Sequence, residues 1–102
     1  MLTELQTSGR TIVEEQSFTD SVKLLGGTEL VDIALSAIMD GLANRPEGFD
    51  LVPGYEPIRI AKTDRVSRPI VGDIPALRVW FLIPSETLVA LLYVDKLPEE
   101  EI

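Results

Sequence analysis

The stretch from Thr28 to Ala43 constrains this chain more than any other. Leu30, Ile33, Ala34, Ala37, Ile38, Gly41 and Leu42 recur at the i, i+3, i+4, i+7, i+8 spacing of one helical face. Val31, Leu35 and Met39 widen that face, while Glu29, Asp32, Ser36, Asp40 and Asn44 line the other side. Thr28 is placed to cap the start, and Glu29 and Asp32 fall in the first turn, where the helix dipole favours anions. The helix is predicted to end near Ala43, because Arg45 precedes Pro46 and is pushed out of the α region. So wide an apolar face needs a sheet to cover it, and the length and the acids argue against a membrane helix.

The segments on either side supply that sheet and a second helix. Arg10 to Glu15 is rich in β-branched residues and reads as a short strand. Ser17 is a candidate N-cap with Asp20 in capping-box position, and Phe18, Val22 and Leu25 follow at helical spacing up to the stop at Gly26-Gly27. Turn formers dominate from Pro46 to Gly54, with Phe49, Leu51 and Val52 expected to plug the underside of the domain. Residues 56–62 alternate, with Ile58 and Ile60 on one face and Arg59 and Ala61 on the other; 63–73 reads as a polar loop. A strand over 76–83 puts Leu77, Val79, Phe81 and Ile83 on one face and Arg78, Trp80 and Leu82 on the other. Pro84-Ser85-Glu86 is the turn, and Thr87 to Asp95 is an apolar run suited to a strand covered on both faces. The expected architecture is α+β, order β-α-α-β-β-β, with two helices on one face of a small antiparallel sheet. It is a single domain over 1–102, with 1–10 and 97–102 as flexible ends.

Composition narrows the chemistry. The chain has no cysteine and no histidine, which removes disulfides, thiolate metal sites and every His-dependent nucleophile arrangement. Catalysis, if present, rests on carboxylates, Lys, Arg or Tyr; no metal and no cofactor is implied. The net charge of −8 opposes a polyanionic ligand at long range. Between Arg59 and Arg78, however, Arg59, Lys62, Arg65, Arg68 and Arg78 stand against Asp64 and Asp73 alone, so this segment carries +3 and the remainder −11. The cations are either ordinary solvated strand and loop residues or the floor of a basic groove on an acidic body. The first ten residues lack a basic segment followed by an apolar run, so the expected location is cytoplasmic, with no membrane association.

Four segments resemble, in order and spacing, the RelE/ParE toxin superfamily of bacterial type II toxin–antitoxin systems. They are Asn44-Arg45-Pro46-Glu47-Gly48 after the helix, Val52-Pro53-Gly54 leading to Ile58-Arg59, the strand Ile74 to Ile83 carrying Arg78, and the closing strand Leu91 to Lys96. The resemblance spans roughly residues 11 to 97. It implies a plasmid-stabilisation toxin bound by a cognate antitoxin, acting on ribosome-bound mRNA as an endoribonuclease or on DNA gyrase. RNA cleavage of that kind stabilises a phosphorane-like dianion, for which a bidentate Arg is suited. On this mapping Arg78 is the candidate phosphate stabiliser, with Arg59 and Lys62 flanking it and Lys62 a candidate base. Arg65, Arg68, Trp80 and Lys96 are candidate RNA contacts. The chain departs from the family in its acidity, in the longer 63–73 loop, and after Lys96, where Leu97-Pro98 replaces an Arg. Tyr93, inside the strand, is expected to pack. The competing readings are a non-catalytic protein-binding module that keeps the toxin fold, and a homodimer formed through the surface around Trp80 and Leu82.

Overall fold

A computed structural model of the chain describes residues 9–70 and 72–98, without the side chain of Arg68. Strand β1 (Thr11–Glu14) leads into three helical segments, α1 (Gln16–Leu24), α2 (Thr28–Ser36) and α3 (Met39–Asn44). A 3-10 turn at Pro46–Gly48 then leads to β2 (Asp50–Leu51) and β3 (Arg59–Lys62). Strands β4 (Val66–Arg68) and β5 (Gly72–Ile74) form a hairpin of their own, and β6 (Leu77–Ser85) and β7 (Leu88–Lys96) complete the order. The main sheet has five strands in the order β1-β7-β6-β3-β2. The architecture is α+β. Among the described residues no helix is long and apolar enough to cross a membrane.

The expected antiparallel sheet is mixed. Strand β1 pairs in parallel with β7, from Thr11 opposite Leu88 to Glu14 opposite Leu91, while every other pairing is antiparallel. Parallel neighbours need a long crossover, and here it is nearly the whole chain. Helix α1 starts just beyond β1 and packs back on β7. The expected β-α-α-β-β-β order is also too simple, because the 63–73 loop contains the β4–β5 hairpin and β2 adds an edge strand. Gly72, the first residue of β5, has a φ of +92°.

The single helix expected over 28–43 is broken at Ala37–Ile38. The Ser36 hydroxyl donates to the Ile33 carbonyl at 2.7 Å, and the Ile38 N–H reaches back only three residues, to Leu35. Both contacts tighten the backbone at the break. Helix starts also differ from expectation. Ser17 lies inside α1 and donates to the Leu92 carbonyl, the N-cap being Glu15, and Asp20 accepts from Gln16. Gly27, with a φ of +117°, precedes α2, so Thr28 is its first residue and not its cap.

One core lies between the helices and the sheet. Phe18 and Val22 of α1, Val31, Ala34 and Leu35 of α2 and Leu42 of α3 meet Ala61, Leu77, Val79, Phe81, Val89, Leu91 and Val94. Two buried hydroxyls find backbone partners there, Ser21 tying α1 to β7 and Thr63 tying the end of β3 to β6. Ser21 of α1 donates to the Phe18 carbonyl and accepts the Val94 N–H, while Thr63 accepts the Leu77 N–H at 2.8 Å. The first of these sits beside a β-bulge, where Trp80 faces Tyr93 but Phe81 faces Leu91. Arg10 and Leu97, in the terminal segments, are also held, their N–H groups bonded to Ala43 and Ala76. Residues 1–8 and 99–102, which include the acidic Glu99–Glu101 run, lie outside the described residues.

Phe49 fills the underside as expected, its ring 5.7 Å from that of fully buried Phe81 in an edge-on arrangement, but Leu51, expected beside it, is 42% exposed and lines an open groove with Val52. Phe81→Ala is expected to cost about 3–5 kcal/mol, since it opens a cavity and removes this ring pair. Urea unfolding should show a lower midpoint with an unchanged slope.

Candidate functional site

Alternation along β6 separates two faces. Leu77, Val79 and Phe81 are fully buried toward the helices, so Arg78 and Trp80 project from the opposite, open face. Cross-strand register then assembles two rows there. Asp50, Ile60, Trp80 and Tyr93 lie opposite one another across β2, β3, β6 and β7; Lys62, Arg78 and Asp95 form the next row. Between these rows and the segment Leu51-Val52-Pro53 runs a groove of about 520 Å³, lined by Asp50, Ile60, Lys62, Arg78 and Trp80.

Asp95 organises the cation row. Arg78 donates through Nε to one oxygen of Asp95 (3.1 Å) and through Nη2 to the other (2.7 Å), a bidentate pair. Trp80 Nε1 donates to the first oxygen at 3.3 Å, and the Arg78 guanidinium lies 5.3 Å from the indole centroid. Both members of the ion pair are largely shielded, at 20% and 29% exposure. The Arg78 fork is thus held in a fixed plane by a carboxylate that presents the geometry a phosphate would.

Of the residues expected to act together, Lys62, Arg78 and Trp80 do meet in the groove. Arg59 does not join them. It pairs with Phe81 on the buried side, and its guanidinium donates to the carbonyls of Glu47 (3.1 Å) and Phe49 (2.7 Å). Lys96 is opposite Leu77, which places it on the face away from Arg78. Arg65 is exposed just before β4, and Arg68 lies within β4. Tyr93, expected to pack, is 42% exposed on the open face. Asp50 and Asp95 were not singled out by sequence reasoning. A signal for Asp95 existed: a simple hairpin that pairs Ser85 with Leu88 also pairs Arg78 with Asp95.

A second charged cluster is structural. Arg10 forms a bidentate pair with Glu47 (2.7 and 3.3 Å), joining the start of β1 to the turn whose carbonyls Arg59 binds. A hydrogen bond from its own backbone N–H lowers the Glu47 carboxyl below its usual range. Desolvation opposes this, and the charges of Arg10 and Arg59 add to the lowering.

No protein-family model, no curated protein and no solved structure matches the chain.

Removing Asp95 takes away the carboxylate that two Arg78 donors and the Trp80 indole N–H share. Asp95→Ala is expected to cost about 1–3 kcal/mol, between exposed and buried pairs, with a change in the emission of the single tryptophan. Because the folded pKa of Glu47 is depressed, its stabilisation is present above the unfolded pKa and is lost as pH falls through the folded one. Glu47→Gln should therefore melt below the wild type at neutral pH, with the gap closing in acid below the usual carboxylate range. Melting temperatures over a pH series check this.

Proposed function

We propose that this chain is a RelE/ParE-like toxin component of a type II toxin–antitoxin pair, acting on mRNA at the ribosome and neutralised by a cognate antitoxin. One observation carries the reading. On an acidic chain, Lys62 and Arg78 stand in register on an open sheet face, beside Trp80, in a groove with room for a nucleotide. A phosphate on the cation row would meet a point charge from Lys62 and the guanidinium of Arg78, and bases have the indole as a wall. The motif order that resembles the superfamily places Arg78 in the position of its phosphate-binding Arg, which supports the same reading.

A second reading is favoured by a specific feature. The Arg78 fork is engaged by Asp95, and Arg59 is bound to backbone carbonyls, so the cations of the resemblance are not assembled around one phosphate. On that reading the domain keeps the fold as a non-catalytic module that binds a protein partner.

Induced expression separates the two. The toxin reading expects growth arrest, relieved by co-expression of an adjoining small open reading frame and abolished by Arg78→Ala or Lys62→Ala. Harmless expression, or a phenotype that Arg78→Ala leaves untouched, sinks it in favour of the binding module.

A further inference from the structure

The groove has an acidic end that phosphate binding does not use. Asp50 ends the row Asp50–Ile60–Trp80, opposite the indole and beyond the apolar side chain of Ile60. Adjacent strands lie about 4.8 Å apart, so Asp50 and Trp80, two strands apart, bracket a space of about 10 Å over Ile60. Leu51, Val52 and Pro53 wall it, and Lys62 and Arg78 follow one row along, about 6.8 Å away on alternate strand positions. The order acid, apolar floor, aromatic wall, with cations in the adjoining row, matches the parts of one nucleotide. The base lies on the floor beside the indole, its polar edge toward Asp50, and its phosphate on the cation row. The volume of about 520 Å³ is that of a small-ligand site and not of a folded partner.

We propose that Asp50 is the specificity-determining residue of this groove and selects a guanine in single-stranded RNA. An ionised carboxylate is acceptor-only. Guanine is the base whose hydrogen-bonding edge offers two adjacent donors, N1–H and the N2 amino group, which a carboxylate accepts in the same bidentate manner in which Asp95 accepts Arg78. Uracil presents carbonyl oxygens on either side of its one N–H, so the carboxylate repels its edge. Inosine keeps N1–H and lacks only the amino group. The inference rests on the RNA reading of the groove and adds to it the base that is read.

Trp80, the only tryptophan, reports binding by its fluorescence. The full chain is titrated with three strands: a short oligouridylate with one central guanine, the same strand with inosine in its place, and the all-uridine strand. The guanine strand is expected to bind about tenfold more tightly than the inosine strand, the value of one hydrogen bond to a charged acceptor. Asp50→Ala should bring the two together, while Lys62→Ala weakens all three strands alike. Equal binding of the guanine and inosine strands by the wild-type chain overturns the proposal, as does a preference that survives Asp50→Ala. If that happens while expression still arrests growth in an Arg78-dependent way, base selection by Asp50 fails alone. If no strand binds, the RNA reading of the groove fails with it.

Discussion

Strand β6 is paired along both edges, to β3 on one side and β7 on the other, and its period-two alternation organises the molecule. Each residue of β6 that faces the helices is apolar and fully buried from Leu77 to Phe81, so the residues between them must face outward. A slip of one residue would bury Arg78 and Trp80 and expose Val79 and Phe81, at a cost of many kcal/mol on burial grounds alone. Register is therefore strongly specified, and Lys62, Arg78 and Asp95 are aligned as a consequence of core packing. The candidate site is the outer side of the same constraint that makes the core.

The bulge beside Trp80 shows how the two sides are reconciled. Beyond it, Leu91 turns to meet Phe81 in the core, while Tyr93 and Asp95 keep the register of the open face. The backbone groups disturbed there find partners in helix α1: Ser17 donates to Leu92, and Ser21 accepts the Val94 N–H. An irregular strand in a buried layer is tolerated because these hydroxyls satisfy it. Charge is divided in the same economical way. Arg10, Glu47 and Arg59 staple the lower loop to β1 and β3, and Arg78 with Asp95 fixes the indole on the opposite face.

Much of the element pattern was legible. Helical spacing located α1 and the α2–α3 region, Gly26-Gly27 marked the break between them, and alternation assigned both faces of β6. What failed was local detail that depends on distant partners. Ser17 is a good capping residue by type, but a strand carbonyl 75 residues away takes its hydroxyl. The 63–73 segment contains enough polar and turn residues to read as a loop, yet Ile74 and Val66 anchor it as a hairpin against the core. Arg59 and Lys62 were expected to flank Arg78 together, although the alternation of 56–62 already sets them on opposite faces of one strand.

By itself the sequence determined the α+β class, the apolar faces and the absence of thiol and imidazole chemistry, because these follow from residue type and local period. Tertiary structure alone decided that β1 runs parallel to the last strand, since strand direction depends on how a crossover of nearly the whole chain is routed. It also decided which charges meet. Asp50 across Ile60 from Trp80, and Arg59 against the carbonyls of the lower turn, depend on how β2, β3 and β6 are brought side by side. Local propensity has no access to such pairs, and sheet register brings them within reach of one another.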